Sequence, residues 1–410
     1  MRHVFVLVIS ISFSFGQNYL DVLRPFLGQD VQNIGLGIYN SNCGTSDFNP
    51  ASLTSVRQSS LKLSLHNNLP NATTRYLTNE ASFADTINNS ELFIPAFDAV
   101  FPIPVYRGSW VLGVSLSPLR YFNEATKINY SEHDTISNYM NKNDAGNLKS
   151  FTVSSGILFT PKLSLGASIS HIWGQNKFST VYQTENNTSF YHDTLSISPH
   201  YSGWNTKLAW MWEFNPYITF GGWLEMPSVL NVEERYYFKK ESNISNEQSV
   251  DNIKYTLHGP YNIGHSLDLN GDPINLSIGL IYHGFSNMSM ESNLLNELNG
   301  SLDNDVNNEI PDKLLSVYEW QFGSRLNLKA FSVSLGFSTM KNPKQTLTSK
   351  IQKYNASLTF PISQKLLFET SVQAQTQADK LLIISSLTND TYAEINYNFV
   401  NILMGFRYDL

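Results

Sequence analysis

From Leu61 onward the chain is a succession of segments, each about ten residues long, in which apolar side chains recur at every second position. That is the period of a strand whose two faces meet different surroundings. Leu61, Leu63 and Leu65 alternate with Lys62 and Ser64, and Trp110, Leu112, Val114 and Leu116 alternate with small or polar residues. Trp204, Thr206, Leu208, Trp210, Trp212 and Phe214 share one face, with Asn205, Lys207 and Glu213 on the other. The pattern returns at Phe151–Phe159, Leu163–Ile169, Ile274–Tyr282, Tyr318–Phe322, Phe331–Phe337, Tyr354–Phe360 and Phe368–Ala374.

The connections carry as much information as the segments. Tight ones fall at Pro102–Arg107, Thr160-Pro161, Asn215-Pro216, Asn270–Pro273, Lys329-Ala330 and Pro361–Gln364. Long ones fall between them, at Asn67–Ser90, Pro118–Asn147, Gln175–Pro199, Asn231–Asp251, Ser289–Asp312, Lys341–Ser349 and Gln377–Thr391. An up-and-down membrane barrel has this asymmetry, with short periplasmic turns and longer external loops, and a soluble sandwich has no reason for it. The count is about 14 strands, even as such barrels require, with both ends on the periplasmic side. The expectation is an all-β fold, a transmembrane antiparallel barrel over residues 59–410.

The last segment sharpens this. Val400, Ile402, Met404, Phe406, Tyr408 and Leu410 form one apolar file, while Asn401, Gly405, Arg407 and Asp409 face the other way. A charged side chain aimed at lipid costs about 2–4 kcal/mol near the bilayer midplane, so Arg407 is expected in the lumen. An edge strand of a soluble sandwich would be blunted by charge or Pro on its exposed side. Gly405, Phe406, Tyr408 and Leu410 resemble the terminal signal read by the outer-membrane barrel assembly machinery, with Leu in place of the usual terminal Phe.

Composition excludes several other classes. The single Cys43 rules out a disulfide framework and a Cys-based zinc site. A net charge of −7 and the lack of any basic patch argue against nucleic acid. Met1-Arg2-His3, the apolar run Val4–Phe15 and the small residues before Gln17 describe a secretory signal peptide over residues 1–16. That run is too short to span a bilayer, and nothing after Gln17 approaches the roughly 20 apolar residues of a membrane helix. Any membrane this chain crosses must be crossed by strands.

Between the signal and the first strand lies Asn33–Leu53, NIGLGIYNSNCGTSDFNPASL. Gly35, Gly37, Gly44 and Pro50 deny it a regular helix or a central strand, yet Ile34, Leu36, Ile38, Tyr39, Phe48 and Leu53 make it too apolar for a solvated linker. Such a segment needs a container, and about 14 strands enclose more space than their own side chains fill. Residues 17–58 are therefore expected to form a hatch inside the lumen. The Gly35-Leu36-Gly37 run followed by Asn49-Pro50-Ala51 resembles the N-terminal hatch of the FadL/TodX family, outer-membrane transporters of long-chain fatty acids and other hydrophobic compounds. Ser109–Pro118, Gly203–Pro227 and Tyr318–Pro343 resemble that family's early, central and late hairpins. The resemblance implies passive uptake of a fatty acid or hydrocarbon by a monomer in the outer membrane of a diderm bacterium, in contact with outer-membrane lipid. It also implies a kinked early strand that opens the wall sideways. Pro95, Pro102 and Pro104 stand where that kink would be; ordinary strand-end prolines are the other reading.

Enzymatic constellations are missing. No G-x-S-x-G elbow, H-E-x-x-H helix, Walker loop or dinucleotide fingerprint is present, so no enzyme, cofactor or metal is expected. Asp268–Asp272 starts like a calcium loop, but Gly279 stands where the closing Glu belongs, so it reads as a turn. His133-Asp134-Thr135 and His192-Asp193-Thr194 recur in two long connections and read as solvated loop residues. Trp173, Trp204, Trp210, Trp212, Trp223, Tyr236, Tyr237 and Tyr282 form either an interfacial girdle or an apolar pocket. Two other functions fit a plugged barrel: a component of a protein-secretion or surface-attachment system, and a surface adhesin.

Overall fold

A computed structural model describes residues 23–27, 29–30, 49–76, 84–88, 94–132, 136–186, 190–243, 245–292, 301–328, 330–345, 349–385 and 390–410, and every statement of absence below refers to these. The expected signal over residues 1–16, Cys43, His133, and Gly35 and Gly37 of the expected hatch lie outside them.

The short pieces are helix α1 (Arg24–Leu27), strand β1 (Gln29–Asp30), a 3-10 turn (Pro50–Ser55) and helix α2 (Ser301–Lys313). The wall begins with β2 (Ser60–Tyr76), β3 (Ala84–Asn88), β4 (Ile94–Ile103), β5 (Trp110–Glu132), β6 (Ile136–Thr160), β7 (Leu163–Asn186) and β8 (Phe190–Asn215). It continues through β9 (Ile218–Glu225), β10 (Val229–Ser242), β11 (Asn246–His258), β12 (Asn262–Leu269), β13 (Ile274–His283) and β14 (Ser289–Glu291). Strands β15 (Val317–Asn327), β16 (Ser332–Lys341), β17 (Lys350–Pro361), β18 (Leu366–Ser385) and β19 (Asp390–Asp409) complete it. Leaving out β1, and joining β3 with β4, β9 with β10, β11 with β12 and β13 with β14, the strands make fourteen antiparallel crossings. Strand β19 pairs with β2 from Asp409↔Ser60 to Ala393↔Tyr76, so the sheet closes and has no edge.

The tight turns fall where the sequence puts them. Asn215 shows why: its Oδ1 accepts the N–H of Tyr217 at 2.8 Å, a local bond that reverses the chain ahead of β9. At this turn end the outward faces are apolar. On β8, Phe214, Trp212, Leu208 and Trp204 are exposed while Met211, Ala209, Lys207 and Asn205 are buried. From Phe214 to Trp204 is about ten residues, roughly 33 Å along the strand and roughly 23 Å of height at a 45° tilt. That matches the apolar band of a bilayer-spanning barrel, with aromatic residues at both borders. Tyr261, Tyr282 and Tyr318 pack in a row at the same upper border, with ring centroids 5.6 and 5.3 Å apart.

The long connections are a correction. The sequence reads 118–147 and 175–199 as loops, but β5, β6, β7 and β8 run 23, 25, 24 and 26 residues, against about ten needed for a crossing. The ladder persists because neighbouring strands beyond the apolar band go on satisfying each other's backbone N–H and C=O groups. Likewise residues 301–313, inside the expected Ser289–Asp312 loop, are the helix α2, tied down where Asn307 bonds both backbone groups of Met290, at 2.8 and 3.0 Å.

The last strand behaves as its pattern requires. Met404, Phe406, Tyr408 and Leu410 are exposed, and Gly405 is buried. A Cβ on Gly405 would stand 2.8 Å from the carbonyl oxygen of Leu63, so the close approach to β2 needs a glycine. Arg407 points inward, 3.7 Å from Glu369 and 3.3 Å from Asp409.

Candidate functional site

Inside the barrel the described residues build a floor, a roof and a chamber between them. The floor is the turn opened by Asn49. Its Oδ1 accepts the Ala51 N–H at 2.9 Å, Pro50 needs no donor at the first helical position, and the 3-10 turn follows. Asn49 Nδ2 donates to the Trp210 carbonyl at 3.5 Å, and the hydroxyls of Thr54 and Ser164 are 2.8 Å apart. The wall makes room with small inward residues. A Cβ on Gly166 would meet Ala51 N at 2.3 Å, and one on Gly156 would meet the Pro50 carbonyl oxygen at 2.7 Å. Of the expected hatch residues, Asn49, Pro50 and Ala51 are thus packed inside the barrel.

The roof is apolar. Leu23, just ahead of α1, and Phe26 within it join Phe122, Leu148, Ile172, Leu230, Leu257, Phe285, Met288, Ile310 and Leu314 in one buried cluster. Phe26 fills a notch at Gly259, where a Cβ would stand 2.6 Å from the ring. A short run of apolar residues ahead of the hatch motif, invisible as periodicity, here joins a core drawn from several strands.

The chamber between them has a volume of about 220 Å³. Its lower wall is polar, with Ser150, Thr152, Ser168, Ser170, Asn205 and Gln375 among the lining residues. One hydrogen-bonded chain crosses it sideways: Asn262 Nδ2 donates to Glu225 at 3.2 Å, and Asn262 Oδ1 lies 3.0 Å from His283 Nδ1. The other ring nitrogen of His283 lies 3.0 Å from Glu319, which also accepts from Gln321 at 3.2 Å and sits 3.8 Å from Lys353. On the opposite side Lys62 and Glu369 pair at 2.7 Å, both buried. Buried charges persist when paired and hydrogen-bonded, which these are. This network is not visible as a sequence motif, because its members come from several different strands.

One of the wall's irregularities lies beside the chamber. The ladder between β4 and β5 stops at Phe97↔Leu116, and β5 has a register shift between Pro118 and Arg120. Past the shift, β1 pairs with β5 at Gln29↔Tyr121 and Asp30↔Arg120. Pro95 and Pro102 sit within β4, opposite Leu65 and Val111, and Pro104 follows the strand in the turn. The irregular step is one strand later than those prolines, at Pro118, which also lines the chamber. The aromatic set divides: Trp204 and Trp212 are exposed on the band, whereas Trp223 is inward and buried.

Among the described residues no group of three His, Cys, Asp or Glu side chains could hold a metal ion. His192 lies beside Glu241 at 3.5 Å on β8, in paired strand rather than loop. Residues 270–273 form the turn between β12 and β13.

No family profile and no curated protein matches the chain. Solved structures do. A Pseudomonas aeruginosa FadL homologue superposes with a TM-score of 0.63 at 9% identity, covering 94% of this chain and 99% of its own. The P. putida toluene transporter TodX gives 0.63 at 8%, covering 88% and 93%. The Ralstonia pickettii toluene transporter TbuX gives 0.59 at 11%, covering 93% and 97%. At such identity the likeness is one of fold: this chain is built as a fourteen-strand barrel resembling those of the FadL/TodX transporters.

Proposed function

We propose that this protein is an outer-membrane channel of a diderm bacterium for passive uptake of hydrophobic compounds, of the long-chain fatty acid or hydrocarbon class, through a plugged barrel. The observation that carries this is the chamber of about 220 Å³, with an apolar roof, in a closed barrel whose outer face suits lipid. The apolar roof suits a hydrocarbon tail and the polar, charged lower wall a headgroup, the two kinds of lining a small-molecule site combines. The barrel would be exported by the cleaved signal over residues 1–16, recognised by the assembly machinery through Gly405, Phe406, Tyr408 and Leu410, and work as a monomer. Residues 17–58, with Gly35, Gly37, Asn49, Pro50 and Ala51, would be its hatch, and the wall near Pro95, Pro102, Pro104 and Pro118 its sideways exit. Passage needs no cofactor, nucleotide or covalent step.

The test is uptake of labelled oleate and of labelled hexadecane by cells with and without the protein. Faster uptake of either supports the reading; equal rates across both classes count against it. A second reading, as an attachment or adhesin barrel, draws on the strand extensions of β5 to β8 beyond the band. Stoichiometric capture of a protein partner through those extensions, with no uptake, would favour it.

A further inference from the structure

Strand β11 has one open side beyond the apolar band. It pairs with β10 along its whole length, from Glu241↔Asn246 to Val229↔His258. On its other side β14 reaches only Thr256, Leu257 and His258. Among the described residues no strand pairs with residues 246–255 on that side. Val229 stands opposite both His258 and Trp204, the upper border of the band, so these residues lie in the water beyond it. The open edge runs about ten residues, roughly 33 Å. Asn246, Glu247, Gln248, Val250, Asn252 and Lys254 along it are exposed.

The hydrogen bonds at the two ends of this hairpin fix which groups the edge offers. The Ser242 N–H donates to the Ser245 carbonyl at 3.0 Å, and the Gly259 N–H to the Ser228 carbonyl at 2.8 Å. Bonded and non-bonded pairs alternate in an antiparallel ladder, so the odd-numbered residues of β11 bond to β10. The N–H and C=O groups of Asn246, Gln248, Val250, Asn252 and Lys254 therefore point to the open side. Natural edges are blunted by Pro, Lys or a bulge. Here the register has no bulge, the strand has no Pro, and its one lysine, Lys254, is held by Glu233 at 2.5 Å. Two carboxylates flank the open side, Glu247 and Asp251, on the face that carries the buried Ile253 and Tyr255. Neither forms an ion pair among the described residues. Lys240, opposite Glu247, leans instead over the Tyr191 ring at 5.2 Å.

We propose that this edge of β11 is a docking site for an extended segment of another polypeptide, one that carries Lys or Arg at two positions four residues apart. The segment adds to the sheet as one more strand. Its backbone bonds give affinity, and its alternate side chains give selectivity. Glu247 and Asp251, four residues apart on one face, meet the two cations and repel an acidic strand. A second copy of this chain is a poor occupant. In one membrane its β11 runs in the same direction, and a twofold axis along the membrane normal sets each outward N–H against its own mate. The proposal stands apart from the channel reading; it rests on the attachment reading for its natural partner but not for its geometry.

The experiment uses the full-length protein in micelles and a fluorescein-labelled peptide, Thr-Lys-Val-Thr-Val-Lys-Thr, followed by anisotropy. The peptide binds saturably, and about tenfold more tightly than its analogue with Glu in place of both lysines. The same peptide methylated on every backbone nitrogen keeps its charge and does not bind, having no N–H to donate. Val250→Pro removes an open-side N–H, leaves every bond to β10, and lowers affinity about tenfold or more. Val250→Thr keeps the strand and binds as wild type does. Glu247→Gln with Asp251→Asn brings the two peptides to within about twofold of each other. Folding of each variant is checked by the heat-dependent gel shift of barrels; if the proline variant fails it, the methylated peptide still decides. No saturable binding of the lysine peptide overturns the proposal, as does equal binding of the methylated peptide or an unchanged affinity in folded Val250→Pro. A wild-type dimer that Val250→Pro splits overturns the choice of occupant in favour of a second copy. Uptake of labelled oleate by cells separates the readings: no uptake by any form, with peptide binding intact, defeats the channel reading alone. Peptide binding with no Val250-dependent capture of a protein by cells defeats the attachment reading and leaves the edge.

Discussion

Strand β8 reverses its chemistry where it leaves the apolar band. On β8 the outward residues of the band are Phe214, Trp212, Leu208 and Trp204, and beyond the border they become Ser202, His200, Ser198 and Ser196. The inward residues change the opposite way, from Lys207 and Asn205 to Tyr201 and Ile197, both buried. Strand β10 continues the outer pattern, with Glu233 and Arg235 outside and Val232 and Phe238 inside. The cause is the solvent. Within the band the outside is hydrocarbon and the inside is polar; in the extension the outside is water, and the apolar side chains turn inward to form the core of an ordinary soluble sheet. One ladder therefore holds two proteins of opposite polarity, and the same substitution should have opposite consequences in each.

The largest expected effect is in the extension's core. Phe238→Ala, at a position 5% exposed, should cost about 3–5 kcal/mol in unfolding free energy, read by urea denaturation in micelles. A loss well below 1 kcal/mol would mean the extension has no packed core. Next comes charge on the outer face. Leu208→Lys in the band should cost about 2–4 kcal/mol in lipid vesicles, while Ser198→Lys on the same face of the same strand should stay within about 0.5 kcal/mol. Equal costs would erase the distinction between the two regions.

A smaller effect concerns acid. Burial raises the pKa of Asp193 in the extension, against the pull of its hydrogen bond from Tyr191 and of the nearby Lys240 and His192, with Glu247 adding to the rise. A raised carboxyl favours the folded state while protonated, so its contribution is present below the ordinary carboxylate pKa and lost as pH rises through the higher folded value. Asp193→Asn should therefore flatten the pH dependence of stability above about pH 4. An unchanged profile would show that the group titrates normally. The smallest effect is expected at the exposed Lys254–Glu233 pair, 2.5 Å apart. Removing it with Lys254→Gln should leave the unfolding midpoint unmoved in 0.15 M salt, because such pairs are screened by water and ions. A clear shift would mark a network there.

The reversal also explains what the sequence could and could not reveal. Band strands were legible because outward apolar residues alternate strongly, as in Trp204 to Phe214, and turns were legible through Asn215-Pro216 and its like. The extensions were not, since Ser196, Ser198, His200 and Ser202 in alternation with scattered apolar residues read as a polar loop. The fold and the terminal apolar file were accessible from period and spacing alone. The chamber was not. Glu225, Asn262, His283, Glu319 and Lys353 are brought together by register across five crossings, and no local pattern announces such a meeting. Trp223 was legible as an aromatic residue near a strand end, but its inward direction depends on the phase of β9 and on Gly264 across the ladder.

The central claim is that hydrocarbon touches the outer face of the band and not the lumen. Variants that retain a single tryptophan, at Trp212 or at Trp223, can be placed in vesicles of phospholipid brominated in the acyl chains, and their fluorescence compared with that in unbrominated vesicles. The account expects strong quenching of Trp212, which is 42% exposed on the band, and little quenching of Trp223, which is 8% exposed in the lumen. Equal quenching of the two, or none at Trp212, would contradict it.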